Sequence, residues 1–119
     1  MKNLLIISVL TTILFSCKKS NSSSSTGTTV KYEITTTGNN GIGGQYYTAA
    51  GYDLGFLANN TKDWTLSIAV SKPFSSHLEY LAAPGDTATL TISVNNNVAK
   101  TQMFINTTNS PDDIYYTVN

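Results

Sequence analysis

The chain has 119 residues, and its first third differs so strongly in composition from the rest that about ninety residues remain to build one domain. Only 12% of the residues are charged, whereas Ser, Thr and Asn together supply 43 of the 119, which favours exposed β-structure over a helical bundle or coiled coil. The formal net charge is zero, Arg is absent, and residues 30–119 carry four Lys against seven acidic side chains. Because phosphate binding needs clustered cations, nucleic acid is a poor candidate partner.

The N-terminus has the order of a secretory signal peptide. Lys2 places a positive charge ahead of an apolar stretch, residues 4–15, and the small residue Ser16 follows. A transmembrane helix is the alternative, but crossing about 30 Å of hydrocarbon needs roughly 20 apolar residues, and this stretch is shorter. We therefore expect residues 1–16 to be a signal peptide.

The only cysteine, Cys17, follows this leader directly. Residues 14–17, LFSC, resemble a bacterial lipobox, in which the cysteine thiol receives diacylglycerol and the cysteine becomes the new N-terminus. Phe15 is bulkier than that position usually holds. A lone Cys can also be a buried thiol or a nucleophile, but Cys17 lies outside the domain. We expect lipidation of Cys17, which attaches the protein to a membrane because several acyl chains anchor far more strongly than one.

Residues 18–29 contain no apolar side chain and are rich in Ser and Thr, so residues 17–29 predict a lipidated cysteine followed by a flexible tether. The tether reaches at most about 40 Å when stretched. The start CKKS resembles lipoproteins of the Bacteroidetes, whose surface-exported members often carry acidic residues after the cysteine. Lys18 and Lys19 stand there instead. We therefore expect an outer-membrane anchor that faces the periplasm, with the cell surface as the alternative.

From residue 30 onward, apolar and polar residues alternate in short runs separated by turn residues, the period of half-buried strands. In the clearest run Trp64, Leu66 and Ile68 face one way. Pro84-Gly85 predicts a type II turn, and the Asn residues 95–97 predict a tight hairpin turn with positive φ. The predicted strands are 30–35, 45–50, 52–58, 64–70, 77–82, 88–94, 98–106 and 114–118.

Seven or eight short strands in residues 30–119 predict an all-β domain, an antiparallel immunoglobulin-like β-sandwich. An eight-stranded barrel is the alternative, although a closed barrel usually needs longer strands. The predicted core includes Trp64, Leu66, Ile68, Leu90, Ile92 and Val94.

Three segments carry a family resemblance: VKYEIT at residues 30–35, the Trp64 strand, and LTISV at residues 90–94 followed by a tight turn and another strand. Their order and spacing resemble the MmpS family, small envelope proteins that serve RND-type lipid and siderophore exporters as accessory proteins. The resemblance covers nearly all of residues 30–119 and implies an immunoglobulin-like sandwich with no catalytic residues. Mycobacterial members use a transmembrane helix and often have a C-terminal cysteine pair, whereas this chain has no cysteine after Cys17.

The residues that could carry hydrolytic chemistry are few. His77 and Glu79 lie two apart on one strand, directly after Ser75 and Ser76. A hydrolase would need a recognisable nucleophile elbow and an acid placed to orient the imidazole, and the sequence shows neither. We therefore expect His77 and Glu79 to be a solvent-facing pair, and no catalytic residue is predicted.

Metal sites are also poorly supported. One His and no Cys in the domain are too few ligands for zinc. Asp112 and Asp113 could join Asp53 or Asp86 around calcium, but the spacing of a calcium-binding loop is missing. We expect neither a metal nor a cofactor.

The aromatic residues point to an interaction surface. The chain has seven Tyr, four Phe and one Trp, and all of them except Phe15 lie in the small domain. Because adjacent strand residues face opposite sides, one Tyr of each pair, Tyr46-Tyr47 and Tyr115-Tyr116, is expected to be exposed or half covered. Exposed aromatic rings suit protein partners or sugars, so these four tyrosines are the candidate interaction surface. The alternative is that they only cover the flank of the sandwich.

A short motif in the second half of the domain predicts a modification. Asp86-Thr87-Ala88 resembles the O-glycosylation motif of exported Bacteroidetes proteins, which makes Thr87 the candidate acceptor.

These observations together predict a lipid-anchored, non-enzymatic envelope lipoprotein, held on the membrane by the lipid on Cys17. We expect it to act as an accessory or interaction subunit with an envelope protein partner, and the family resemblance suggests an RND-type exporter. The alternative is a lipoprotein that binds a glycan or another ligand through exposed aromatic residues.

Overall fold

The structure is a computed structural model that describes residues 27–39, 41–81, 83–107 and 110–119. The predicted signal peptide, Cys17 and residues 18–26 of the predicted tether lie outside the described residues, whereas Thr28 and Thr29, which were predicted to belong to the tether, are in the first strand. Within the described part of the chain, no helix has the length and apolar character needed to cross a membrane. The strands are β1 (Thr28–Thr36), β2 (Ile42–Tyr47), β3 (Asp53–Ala58), β4 (Asp63–Val70), β5 (Phe74–Leu81), β6 (Thr87–Val94), β7 (Asn97–Ile105) and β8 (Asp112–Val118).

In the described part of the chain, eight strands form two four-stranded antiparallel sheets that pack face to face. In sheet A the strand order is β4-β1-β6-β7, and in sheet B it is β3-β2-β5-β8. The predicted antiparallel β-sandwich is therefore confirmed, in an arrangement compatible with an immunoglobulin-like sandwich, and the closed barrel is wrong. Four strands are edges, β4 and β7 of sheet A and β3 and β8 of sheet B, so half of the strands have only one neighbour.

Two strands begin three residues earlier than the alternation of the sequence predicts. β2 includes Gly43 and Gly44, which were expected in the preceding loop. Gly44 lies so close to β5 that a Cβ atom there would collide with the main-chain oxygen of Glu79, which explains why a glycine interrupts the apolar pattern of a real strand. β5 starts at Phe74, directly after Pro73, and not at His77.

Both predicted turns are confirmed. Asn95 and Asn96 have φ angles of 49° and 66°, and the flanking Val94 and Asn97 are paired, so the β6–β7 hairpin closes through a two-residue turn with positive φ. Gly85 has φ of 94°, and the Asp86 N–H donates to the carbonyl oxygen at position 83, as in a type II turn.

The core is built mainly from the central strands of both sheets. Leu90 and Ile92 are fully buried, as predicted. Trp64 and Ile68 are only partly buried against the core, and Leu66 is half-buried, because β4 is an edge strand. Among the described residues, the apolar and aromatic side chains with no exposed surface are Val30, Tyr32, Ile34, Ile42, Leu78, Leu90 and Ile92.

Two tyrosine hydroxyls connect the sheets through the core. Tyr32 of sheet A donates to the carbonyl oxygen of Tyr47 in sheet B at 3.0 Å, and Tyr80 of sheet B donates to Oγ1 of Thr36 in sheet A at 3.0 Å. Burial raises the pKa of the Tyr32 hydroxyl far above its usual value, so this donor keeps its proton at physiological pH. The Tyr32 bond ends at the main chain of Tyr47 in β2, and the ring of Tyr47 lies against His77 on the outer side of sheet B.

Candidate functional site

The outer face of sheet B, which points away from sheet A, gathers aromatic and acidic side chains from four strands. Antiparallel pairing places Tyr47 opposite Asp53 and His77 opposite Tyr115. The neighbouring row pairs Gln45 with Glu79 and Glu79 with Asp113. We call this surface the aromatic-acidic face, and its residues are Gln45, Tyr47, Asp53, His77, Glu79, Asp113 and Tyr115.

His77 lies at the centre of this face, and the expectation that it points into solvent is wrong, since it is only 4% exposed. Tyr115 stacks on its ring at 4.2 Å with 6° between the planes, and Tyr47 meets it edge-on at 5.1 Å. Nδ1 lies 2.8 Å from Oδ1 of Asp53, and because a carboxylate only accepts, Nδ1 carries the proton. The ring is therefore held by one stacked tyrosine, one edge-on tyrosine and one hydrogen bond.

The other edge of the ring faces a second carboxylate. Nε2 of His77 lies 3.4 Å from Oδ2 of Asp113 but has no hydrogen-bond partner among the described residues. Asp53 is on β3 and Asp113 is on β8, so the imidazole of β5 lies between acids from both edge strands of sheet B. The sequence could not show this arrangement, because Asp53 and His77 are 24 residues apart and meet only through strand pairing.

Tyr115 offers the most accessible ring of the face. It is 56% exposed although one side of the ring is covered by His77, so the opposite side faces solvent. Desolvation, together with the negative charge of Asp113, raises the pKa of the Tyr115 hydroxyl above its usual value. The hydroxyl is therefore neutral at physiological pH and can donate a hydrogen bond.

The four tyrosines of the predicted interaction surface do not lie together. Tyr47 and Tyr115 share the aromatic-acidic face, whereas Tyr46 points to the other side of sheet B and packs 5.9 Å from Trp64. Tyr116 also lies on the opposite side of its strand from Tyr115 and is 37% exposed. The sequence therefore indicates two of the tyrosines on this face, while the position of His77 between them follows only from the fold.

The structure does not assemble the calcium ligands that the sequence offers. Asp112 and Asp113 are adjacent on β8 and point to opposite sides of sheet B. Asp86 is the residue that directly precedes β6. The carboxylates of Asp53 and Asp113 approach opposite edges of the His77 ring. Among the described residues, no group of three or more His, Cys, Asp or Glu side chains is placed to hold a metal ion.

Thr87 begins β6 and is half-buried. Its N–H donates to Oγ1 of Thr37 at 2.9 Å, and its carbonyl oxygen accepts from the Thr37 N–H at 2.9 Å. The main chain of the motif is thus held against the end of β1, and O-glycosylation at Thr87 stays a prediction.

A separate pocket, of about 660 Å³, lies at the end of the sandwich where the chain enters β1. Gly27 and Thr28 line it together with Lys72 and Asn95. None of its lining residues belongs to the aromatic-acidic face, which is an open surface and not a cavity.

Comparison with protein-family models gives no match to this chain, and comparison with curated proteins gives none either.

Proposed function

We propose that the protein is a lipid-anchored, non-enzymatic component of the cell envelope that acts as an accessory or interaction subunit through its aromatic-acidic face. The leader sequence and Cys17 support the membrane anchor, on an outer membrane and facing the periplasm. The resemblance to the MmpS family suggests an RND-type exporter as the partner. The observation that carries the proposal is the row of Tyr47, His77 and Tyr115 on an exposed sheet face.

The residue composition of this face is typical of a protein contact surface. Tyrosine is enriched where partners bind, and rings that are already fixed lose little conformational freedom on binding. At one end of the same sheet face, exposed Leu57 and Leu81 flank Gly43 on either side. A partner that covers these leucines together with Tyr47 and Tyr115 would bury apolar and aromatic surface at once. Such burial is the main favourable contribution to association.

The surroundings of His77 support a binding role over a hydrolytic one. A histidine base needs one nitrogen free to accept a proton from a nucleophile, while the other nitrogen is held by an acid. Asp53 holds Nδ1 in this way, but Nε2 faces the carboxylate of Asp113, which cannot donate a proton when ionised. The residue is thus placed to support the two tyrosine rings.

Because of the predicted tether, a weak contact between the domain and a membrane protein is enough for association. A domain held within about 40 Å of a membrane meets other proteins of that membrane at a high effective concentration. An interface the size of one sheet face can then work without high intrinsic affinity.

Photo-crosslinking in intact cells tests the proposal. A photoreactive p-benzoylphenylalanine at exposed Gln45 should capture an envelope protein, whereas the same group at exposed Thr101, on sheet A, should not. Replacing Tyr47 and Tyr115 by Ser should lower capture by about fivefold or more, since buried tyrosines dominate such contacts. Tyr46 is left in place because it packs against the core.

Circular dichroism and thermal unfolding of the Ser variants must first show that the sandwich is intact. Cys17→Ser should also lower capture, because a domain released from the membrane loses its high local concentration. Equal capture from Gln45 and Thr101, or capture that is insensitive to both tyrosine substitutions, would contradict the proposed contact surface.

Glycan binding is the second candidate function. It is favoured by the exposed ring of Tyr115, which could stack on a sugar while Asp113 and Glu79 accept hydrogen bonds from its hydroxyl groups. Saturable binding of a purified envelope glycan, with no protein partner recovered, would favour this candidate over the first.

A further inference from the structure

We infer that the partner presents a cationic side chain, an arginine in particular, which enters between Glu79 and Asp113 and lies against the exposed ring of Tyr115. This inference rests on the proposed function and specifies the chemistry of the partner at the aromatic-acidic face.

No lysine of the described part of the chain compensates the carboxylates of the face. Asp53, Glu79 and Asp113 are its acidic side chains, and His77 between Asp53 and Asp113 is its only basic one. The described lysines lie elsewhere: Lys31 pairs with Glu33 at 3.1 Å on sheet A, Lys100 is on β7, and Lys62 and Lys72 are in loops. The face therefore attracts a cation from outside the domain.

Glu79 and Asp113 are a cross-strand pair of like charge. They are direct partners in the β5–β8 register, with both side chains on the outer face. Like charges directly opposite each other destabilise a sheet, because their Cβ atoms are only about 5 Å apart. A guanidinium placed between the two carboxylates would turn this repulsion into two charge-assisted hydrogen bonds.

A second observation at the same place is the buried edge of the His77 ring. Nδ1 is held by Asp53, whereas Nε2 is buried, lies 3.4 Å from Oδ2 of Asp113 and has no hydrogen-bond partner among the described residues. Asp113, whose side chain is 45% exposed, thus has this unpartnered buried atom on one side and solvent on the other. A guanidinium that binds Asp113 from the solvent side extends the row of polar groups that begins at Asp53 and His77.

Tyr115 provides the third element of the site. The side of its ring that faces away from His77 is exposed to solvent. Stacking on His77 holds the ring in position near Asp113, which is two residues earlier on the same side of β8. A cation over a tyrosine ring is attracted by the negative charge of the ring face. The planar guanidinium of arginine can bind carboxylates through its fork of N–H donors and stack on an aromatic ring, whereas an ammonium group is a compact, strongly hydrated point charge without a planar face.

A titration with small compounds tests the inference on the full chain in a non-ionic detergent. The probe is N-acetylarginine amide, and N-acetylcitrulline amide is its neutral counterpart of similar shape. Nuclear magnetic resonance should show saturable shifts of the Glu79, Asp113 and Tyr115 amides with the arginine compound, with affinity about tenfold higher than that of the citrulline compound. The affinity should fall as NaCl rises from about 0.05 M to about 0.5 M.

Paired variants identify the groups responsible. Glu79→Gln combined with Asp113→Asn should weaken binding of the arginine compound by about tenfold or more. Glu33→Gln, which removes a carboxylate from sheet A, should leave binding unchanged. Equal binding of the two compounds, or no effect of the double substitution, would overturn the inference.

Two further outcomes distinguish a failure of this inference from a failure of the proposed function. If Lys18→Gln with Lys19→Gln shifts the Tyr115 resonances in the absence of probe, the tether of this chain is the occupant, and the inference about a partner is wrong. If crosslinking from Gln45 captures a protein equally well after the Glu79→Gln and Asp113→Asn changes, the proposed function stands and only the cationic contact fails.

Discussion

Asp112 is an acidic residue placed where a sandwich normally has an apolar one. It pairs with the core residue Tyr80 and points toward sheet A, on the same side of β8 as buried Ile114. Its Oδ2 atom is buried and has no hydrogen-bond partner among the described residues. Desolvation, reinforced by the charge of Asp113, raises the pKa of this carboxyl above its usual value, so the folded protein binds a proton here more readily than the unfolded chain.

Asp112→Asn should therefore stabilise the protein at neutral pH. A carboxyl with a raised pKa in the folded state makes stability fall as pH rises above the unfolded value of 3.8. We expect the variant to gain about 0.5–1 kcal/mol at neutral pH, a modest gain because the residue is only half-buried, and to lose this advantage in acid. Urea unfolding at neutral and acidic pH measures the difference.

The exposed Asp63 provides the control for this substitution. Asp63→Asn should change the free energy of unfolding by no more than about 0.5 kcal/mol at either pH. An Asp112→Asn variant that is less stable than the wild type at neutral pH would show that its carboxylate forms a favourable contact instead.

His77 shows what residue-level patterns can and cannot predict. The period of two places it on the outer face of a strand, which is correct, and outward-facing normally means exposed. Its burial arises from Tyr47 and Tyr115 on either side and from Asp53, residues that are distant in sequence. Local alternation carries no information on such neighbours, because they are set by strand pairing.

At the level of the element, β2 illustrates how closely two strands approach. Adding a Cβ atom to Gly44 would cause a collision with the carbonyl oxygen of Glu79 on β5 and would place it 3.2 Å from the ring of Phe56. On β3, a Cβ atom at Gly55 would meet only the carbonyl oxygen of Gly44, at an ordinary 3.8 Å. The close approach of β2 and β5 therefore requires glycine at position 44, whereas position 55 has room for a side chain.

Gly44→Ala should destabilise the protein by about 3 kcal/mol, because either β2 or β5 must shift to admit the methyl group. Gly55→Ala should be neutral or stabilising by up to about 1 kcal/mol, since alanine restricts the unfolded chain more than glycine does. Denaturant unfolding of both variants tests the pair. Equal losses at the two positions would mean that the approach of β2 to β5 is not what requires glycine.

Whether a segment forms a strand was easier to predict from the sequence than where that strand lies in its sheet. Alternating residues and turn chemistry identify the β6–β7 hairpin because the signal is local. β1, in contrast, pairs with β4 and β6, so its neighbours are set by packing between distant segments. This is why Trp64, the largest side chain of a strongly alternating strand, is only partly buried: the sequence does not show that β4 is an edge.

At the scale of the whole molecule, the sandwich is held by apolar packing and by polar links between its sheets. The Tyr32 and Tyr80 hydroxyls both cross from one sheet to the other. The Tyr32 bond ends on the carbonyl oxygen of Tyr47, whose own side chain belongs to the aromatic-acidic face. One partly buried hydrogen bond therefore links the stability of the domain to the position of its proposed contact surface.

Tyr32→Phe should reveal this link through its pH dependence. At neutral pH the variant loses the hydrogen bond to Tyr47, and we expect a loss of about 1–1.5 kcal/mol. Above pH 10, the usual pKa of tyrosine, the unfolded chain releases a proton that folded Tyr32 retains, so the stability of the wild type falls by up to about 1.4 kcal/mol per pH unit from this residue alone. The variant lacks that contribution, and urea unfolding should show the two proteins converging as pH rises. Tyr52→Phe, at an exposed turn position, should match the wild type throughout, and a Tyr32→Phe deficit that stays constant with pH would contradict the raised pKa.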